Sequence, residues 1–303
     1  MRFRVADEEA GERLDRLLVR HAAGLGRRRA AELFGEGAVR VDGRRASKGE
    51  LARAGSTVEV ELGEPDRAAP EPDAPLDVRL ETEHVLVVHK PAGQPSVAVR
   101  GSDRGTLASA LVGHYPELGT IGSPREGGLV HRLDTGTSGL LVAARSALAY
   151  PRLREAIRTG SLEKHYLALV EAADLPGSGV IDQPLVSDPK HAKKVRWEGR
   201  GLSQARFAVT RWKVIERGAR WALVEAEASP AVRHQIRAHL ASIGHPIAGD
   251  VLYGGAEVSS LAGRHALHAS RVAWGGDGVI KGFTVEDPLP SELLDLVNGR
   301  TGV

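Results

Sequence analysis

Apolar residues recur along this chain at two different periods, and each period predicts its own kind of element. Leu14, Leu17, Leu18 and His21 fall three or four residues apart, which predicts a helix over 11–21 that turns Arg13, Arg16 and Arg20 outward. A second short helix is predicted over 27–34, with Ala30, Leu33 and Phe34 inward and Gly35-Glu-Gly37 ending it. Residues 38–43 alternate apolar and polar into an Asp-Gly turn, and residues 56–62 supply the partner strand. Over 63–75, four prolines are interleaved with acids and alanines, a composition that builds neither a helix nor a central strand and reads as an extended linker. Beyond it, the apolar run from Val85 predicts a buried strand stopped by Pro91 and Gly93, and residues 105–112 read as a helix with Thr106 near its start. Residues 164–170 alternate as a strand that puts Tyr166, Ala168 and Val170 on one side. The pattern thus divides the chain into a small unit at 1–62, a linker at 63–75 and a larger unit at 76–303.

Composition narrows the class of protein. The 303 residues are 42% hydrophobic and 26% charged, an ordinary globular balance, and with only 4% aromatics the core must rest on Leu, Val, Ile and Ala. The absence of cysteine excludes disulfides, thiolate metal sites and cysteine nucleophiles. No apolar run approaches membrane-spanning length and the first residues lack the apolar core of a signal peptide, so a cytoplasmic location with no membrane partner is expected. The formal charge is only +2, too small to indicate a nucleic-acid partner, but its distribution is uneven. Residues 188–220 carry ten Lys and Arg against three acids, with Trp197 and Trp212 interspersed, a combination that suits a phosphate backbone and unstacked bases.

The strongest chemical signal lies in Gly127-Gly-Leu-Val-His-Arg-Leu-Asp-Thr-Gly-Thr-Ser-Gly-Leu-Leu-Val142. Here Asp134 sits between Arg132 and a Thr/Gly/Ser loop that runs into an apolar segment, with no second carboxylate at matching spacing, which points to a lone nucleophilic or electrostatic aspartate. Asp134-Thr-Gly also spells the loop of aspartic proteases. Those enzymes need two carboxylates sharing a proton, and no other Asp-Ser/Thr-Gly occurs, so that reading requires a dimer built around a shared site. His234 and His239 invite a metal, but five-residue spacing places them on different helix faces and no acidic cluster completes a site, so no metal is expected.

The residues His131-Arg-Leu-Asp134 and Thr137-Ser-Gly-Leu140 match the signature of RNA pseudouridine synthases acting on large-subunit ribosomal RNA, the RluA family, at every fixed position. Further segments resemble the same family in the same order: Val87-Val-His-Lys-Pro-Ala-Gly93, Lys164-His-Tyr-Leu-Ala-Leu-Val170, His234-Gln-Ile-Arg-Ala-His-Leu240, Gly244-His-Pro-Ile-Ala-Gly-Asp-Val-Leu-Tyr-Gly254, Arg264-His-Ala-Leu-His-Ala269 and Asp287-Pro-Leu-Pro290. The small unit resembles the ribosomal-protein S-four-type RNA-binding domain through Arg13-Leu14-Asp15, the basic start of the second helix at Arg27, Arg28 and Arg29, Val39-Arg-Val-Asp-Gly43, and Lys48 before Ala54-Gly55. The chain departs from the family patterns at Gly26, at 94–100 and at Ala231-Val-Arg233.

The resemblance implies an α/β (α+β) fold, with a small N-terminal α/β RNA-binding domain and a catalytic domain built on a central mixed, mostly antiparallel sheet. It implies isomerisation of uridine to pseudouridine in RNA, in which one glycosidic bond replaces another, so that no cofactor is required. The roles it implies are Asp134 as nucleophile or charge stabiliser, Arg237 to orient and ionise Asp134, and Tyr166 to stack on the base and move a proton. Ile236 would pack on the ring, and Arg132 would fill the space left by the extruded nucleotide. Arg27, Arg28, Arg29 and Lys164 would join the 190–220 stretch in binding substrate. Ribosomal RNA is favoured over transfer RNA by the small unit, and a monomer is expected. A reading from another class is a non-catalytic RNA-binding ribosome assembly factor on the same scaffold, which leaves Asp134, Tyr166 and Arg237 without a purpose.

Overall fold

The computed structural model describes residues 1–22, 25–63, 67–99, 103–197, 205–228 and 231–299. It divides into two compact units, Met1–Asp66 and Arg67–Val303. In the first, β1 (Arg2–Arg4), β2 (Val39–Val41), β3 (Arg44–Arg45) and β4 (Thr57–Val60) form an antiparallel sheet in the order β1-β4-β2-β3, beside helices α1 (Leu14–His21) and α2 (Arg27–Glu36). Leu14, Leu17, Leu18, Ala30, Leu33 and Phe34 are buried with Val39, Val58 and Val60 in one cluster, as the helical spacing predicts. Gly37 ends α2 in the left-handed conformation. His21 departs from the expected inward face. It is exposed, stacked on Phe3 with ring centroids 4.1 Å apart, and 2.7 Å from the Glu9 carboxylate. A ring nitrogen that needs a partner is better served at the rim than among leucines.

The second unit carries β5 (Asp77–Glu81), β6 (Val85–Lys90), α3 (Leu107–His114), β7 (Ser138–Ala144), α4 (Ala149–Thr159), β8 (Leu162–Glu171), β9 (Ser178–Asp182), β10 (Leu185–Ser187), β11 (Val195–Trp197), β12 (Val209–Arg217), β13 (Trp221–Ala228), α5 (Gln235–Ser242), β14 (Leu267–Gly276), β15 (Lys281–Glu286) and α6 (Ser291–Val297). Nine of these strands form one sheet in the order β5-β6-β7-β14-β8-β13-β12-β9, with β15 also on β14. The β7–β14 pairing is parallel and the other pairings in this sheet are antiparallel, the mixed, mostly antiparallel sheet that the resemblance implied.

The sheet forks at β14. Near its start, His268 and Ala269 pair with Ser138 and Gly139 of β7, and past a bulge the strand pairs instead with β15. All seven residues of β7 are buried, so this strand is covered on both faces. Gly139 (φ +111°) is required at the fork, because a Cβ there would lie 2.3 Å from the Ala269 carbonyl oxygen. The loop that carries Asp134 enters β7 at this fork.

The proline-rich segment is not a free linker over its described part from residue 67 onward. Ala68 is buried, its N–H donates to the Pro124 carbonyl at 3.0 Å, and the Glu71 N–H donates to the Ser109 carbonyl at 3.0 Å. The Arg67 guanidinium donates to the Gly119 carbonyl at 2.6 Å. An extended segment leaves its backbone groups unpaired internally, and here carbonyls of Pro124 and of Ser109 in α3 take up two of its N–H groups.

Candidate active site

Asp134 is placed by hydrogen bonds that converge on its loop from three segments. The Thr137 N–H donates to the Asp134 carbonyl at 3.0 Å and closes a turn at the mouth of β7. Ser96 Oγ donates to the Leu133 carbonyl at 2.8 Å and accepts the Leu133 N–H at 3.1 Å. The Gly93 N–H donates to the Thr135 carbonyl at 2.7 Å. Lys90, fully buried, gives its three ammonium hydrogens to the carbonyls of Gln94 (2.8 Å), Pro91 (2.9 Å) and Thr135 (3.2 Å). Burial pushes the Lys90 pKa down to about 7 and Arg264 adds to this, while Asp134 pulls it up. Gln94 and Ser96, in the stretch where the sequence departs from the family pattern, therefore still brace the aspartate's loop.

From the other side comes α5, whose residues Gln235 to Leu240 are all buried. Gln235 fastens its first turn, accepting the Val232 N–H at 2.8 Å and donating to the Val209 carbonyl at 2.8 Å. Arg237 lies close behind it in the same turn. Its Nη1 donates to Asp134 Oδ2 at 2.7 Å, and its Nε and Nη2 donate to the two oxygens of Asp250 at 2.7 and 2.8 Å. One guanidinium thus bridges two carboxylates. Burial alone would raise the Asp134 pKa, but the positive groups beside it, His234 and Arg237 first, more than offset this and hold it below the ordinary carboxylate value. His234 is itself pushed down to about 4 by burial, so at neutral pH Arg237 is the cation that acts on Asp134. His234 occupies the left-handed region (φ 55°), with Nε2 3.6 Å from Asp134 Oδ1 and Nδ1 3.0 Å from the Tyr253 hydroxyl.

Asp134, Tyr166, Arg237, Arg132, Ile236 and Lys164 all line one cleft of about 1390 Å³. Its described lining holds nine Lys and Arg side chains and two acidic ones, Asp134 and Glu126, so the cleft is built for a polyanion. Tyr166 and Lys164 alternate onto the same face of β8, both about nine-tenths buried. Burial first, and Asp134 second, push the Tyr166 phenol up, which keeps it protonated. Burial lowers the Lys164 pKa to about 8, and among the described residues no hydrogen bond or ion pair engages its ammonium. Ile236 is buried on the cleft wall, and Arg132 projects from the Asp134 loop, exposed.

Outside the cleft the expectations hold less evenly. Arg27 is exposed at the start of α2, the Arg28 side chain lies outside the described residues, and Arg29 is not free, pairing with Glu36 at 2.5 Å and Glu32 at 3.7 Å. Arg13 and Arg20 are likewise paired, with Asp15 and Glu12. The 188–220 stretch is not one uniform basic face, and residues 198–204 lie outside the described residues. Trp212 is core rather than a stacking platform, whereas Trp197 is 46% exposed. Lys213 pairs with Glu225 at 2.7 Å, and Arg217 donates to the backbone carbonyls of Ala172, Leu175 and Pro176. His239 is fully buried between Thr210 and the Gln183 carbonyl, away from His234, and no cluster with metal-ligand potential occurs among the described residues.

Sequence reasoning assigned no role to Asp250, Tyr253, His234 or Ser96. Asp250 and Tyr253 lie inside the Gly244–Gly254 motif, and a charged residue between apolar neighbours was the signal available for the first. His234 likewise opens a motif-bearing segment, whereas nothing local distinguishes Ser96, whose partner Leu133 is 37 residues away.

A family model described as RNA pseudouridylate synthase matches residues 84–242. The ribosomal large subunit pseudouridine synthase D of Xanthomonas campestris is 35% identical, the match covering 97% of this chain and 90% of that one. The protein of the same name from Nitrosomonas europaea is 32% identical over 97% of this chain and 86% of its own length. Among solved structures, human RNA pseudouridylate synthase domain containing 4 superposes with a TM-score of 0.58 at 23% identity, covering 74% of this chain and 92% of that one, which shows the shared fold. Together with the Asp134–Arg237 pair in its basic cleft, these matches show that the chain belongs to the RNA pseudouridylate synthase family.

Proposed function

We propose that the chain isomerises uridines to pseudouridine in large-subunit ribosomal RNA, with Asp134 as the catalytic carboxylate. The reaction breaks the N1–C1′ bond, turns the uracil over and forms a C5–C1′ bond, while C5 loses a proton and N1 gains one. Atoms and electrons balance within the nucleotide, so the side chains need only hold charge, shape and protons. The observation that carries this reading is an ionised, part-buried carboxylate fixed by a guanidinium in a cleft whose charged lining is predominantly cationic. A flipped nucleotide entering the cleft would stack on Tyr166 and pack against Ile236, with Arg132 occupying the place it left. Lys164 would take a phosphate, supplying affinity without sequence information.

The small unit, read as an S-four-type RNA-binding domain, and the curated relatives named for the large ribosomal subunit both favour ribosomal over transfer RNA. A ribosomal RNA substrate carries with it the expected cytoplasmic setting. A monomer suffices, since Asp134, Tyr166 and Arg237 come from one chain. The dimeric protease reading is disfavoured by geometry: Asp134 is engaged by Arg237 at 2.7 Å and held ionised, so it has no proton to share with the same residue of a second copy.

The test is Asp134→Asn, which is isosteric and removes the charge. RNA affinity should stay near that of the parent and a cooperative thermal transition should be retained while pseudouridine formation is lost. Product formed by the variant at close to the parent rate would remove Asp134 from the chemistry.

A further inference from the structure

Strands β10 and β11 pair antiparallel in a two-stranded sheet of their own, outside the nine-stranded sheet. The loop between them carries Lys190, Lys193 and Lys194, and Lys193 lines the cleft. Asp188 shapes this loop by accepting the N–H groups of Lys190 and His191 at 2.8 and 3.3 Å. A two-stranded ribbon is marginal in water by itself, so its position depends on what it is fastened to. Besides the backbone pairing of Leu185 with Arg206, its fastenings lead to the Asp134–Arg237 pair. The Val195 N–H donates to the Tyr253 hydroxyl at 2.9 Å, Lys194 Nζ stands 5.7 Å from the centre of the Tyr253 ring, and Arg233 Nη2 donates to the Ala192 carbonyl at 3.1 Å.

Tyr253 faces the catalytic pair on its other side. Its hydroxyl is 3.0 Å from His234 Nδ1, and the Arg237 guanidinium carbon lies 5.2 Å from its ring centre. A phenol that already accepts the Val195 N–H has its own hydrogen to give, and Nδ1 of the neutral His234 is in reach to take it. That tautomer leaves the Nε2–H of His234 facing Asp134 Oδ1 across 3.6 Å. Asp134 Oδ1 at 3.6 Å and Arg233 Nε at 3.5 Å both lie beyond ordinary hydrogen-bond length from Nε2, so the Tyr253 hydroxyl at 3.0 Å is the partner that sets the ring. The ring thus buttresses Arg237 while the hydroxyl sets His234, and both of those residues face Asp134.

We propose that Tyr253 is a positioning residue that couples the basic β10–β11 hairpin to the Asp134–Arg237 pair, so that the hairpin's engagement of RNA and the aim of the carboxylate are one event. The proposal rests on the RNA-modifying reading of the cleft. It adds to that reading a specific route by which RNA held outside the nine-stranded sheet reaches the reacting centre. Coupling of this kind is demonstrated by non-additivity and not by proximity.

The experiment compares the full chain with Tyr253→Phe, Lys193→Gln and the double variant, measuring RNA affinity and single-turnover rate at saturating RNA. Tyr253→Phe keeps the ring over Arg237 and removes the hydroxyl, so its rate should fall about tenfold, the worth of one good hydrogen bond, with affinity within about twofold. Lys193→Gln should lower both affinity and rate in the parent, but only affinity in the Tyr253→Phe background. A Tyr253→Phe rate equal to the parent's, or the same rate loss from Lys193→Gln in both backgrounds, would overturn the coupling. So would a rate loss accompanied by loss of the cooperative thermal transition, which would make Tyr253 a fold residue only. Absence of pseudouridine formation by the parent on ribosomal RNA would count against the functional reading instead, and is seen before any variant is made.

Discussion

Asp250 holds Arg237 in a two-pronged ion pair, with Nε to Oδ2 at 2.7 Å and Nη2 to Oδ1 at 2.8 Å, and side-chain exposures of 8% for the arginine and 1% for the aspartate. A planar fork bound on two nitrogens has no freedom left to rotate, so the direction of Nη1 is fixed before Asp134 is reached. The pair need not add to stability, since taking two charges out of water costs about as much as their attraction returns. Its evident product is orientation.

Asp250→Asn should therefore damage both fold and rate, in separable ways. Leaving a buried guanidinium short of one charge partner costs about 3 kcal/mol of stability. The same change lets Arg237 turn, and the single-turnover rate should fall by about 10- to 100-fold with a much smaller change in RNA affinity. Denaturant unfolding and a rapid-quench assay on the folded variant would separate the two. An undiminished rate would leave Asp250 with a purely structural part.

Charge and geometry at Arg237 can be parted by two substitutions. Arg237→Met retains length, removes the charge and leaves Asp134 in a buried setting that raises its pKa, so the acid limb of the rate profile should move up and activity at neutral pH should collapse. Arg237→Lys keeps one charge but cannot serve Asp250 on two nitrogens and Asp134 on a third, so only part of the rate should return. Both should bind RNA, because other cations of the cleft remain. A Met variant that keeps its rate but loses binding would make Arg237 a phosphate contact.

Much of this candidate site was legible in the sequence, because Asp134, Arg132, Tyr166, Ile236 and Arg237 stand in the ordered segments that resemble the family, while periodicity located the elements that carry them. The alternation of 164–170 put Tyr166, Ala168 and Val170 on one face, to which the structure adds Lys164, and the spacing of Leu14, Leu17 and Leu18 and of Ala30, Leu33 and Phe34 located the core of the small unit. What could not be read are pairings between residues distant along the chain. Asp250 meets Arg237 across the turn that follows α5, and Ser96 meets Leu133 across 37 residues. Paired charges were misread for a related reason. Arg29, Lys213 and Arg217 look like free cations in the sequence, yet each has a partner supplied by folding. Trp212 read as a base-stacking surface because aromatic residues on an edge-near strand carry no mark of which side the core lies on.

Lys164 makes a pH prediction with a definite sign. Burial lowers its pKa from 10.5 to about 8, so the free enzyme loses this ammonium as pH rises through about 8. If the ammonium meets phosphate, kcat/KM, which reports the free enzyme, should fall over that range. Lys164→Arg keeps its charge there and should flatten that limb, which also separates the effect from Lys90, titrating near 7. Stability should move the other way. Between about 8 and 10.5 the unfolded chain binds the proton that the native state has released, so this group's contribution to stability rises with pH. Falling kcat/KM in Lys164→Arg identical to that of the parent would assign the limb elsewhere.

The small unit is expected to grip RNA without taking part in the chemistry. The Asp134 site and its braces lie within Arg67–Val303, which has its own core, so deletion of residues 1–66 should leave a folded protein with a single-turnover rate at saturating RNA within a few-fold of the parent. Affinity is another matter. Each phosphate neutralised contributes roughly 0.7 to 0.9 to the slope of log affinity against log salt, so the truncated protein should bind more weakly and with a slope shallower by about one or two. Arg29 already holds Glu36, so phosphate binding by this unit is assigned first to the exposed Arg27. Arg27→Ala in the full chain should then reproduce about one phosphate's worth of the change in slope, uniformly across RNA sequences. Equal affinity and equal salt slope for the full and truncated chains would refute a binding role for residues 1–66. An unchanged affinity for Arg27→Ala beside a weakened truncation would move the phosphate-binding role to another face of that unit.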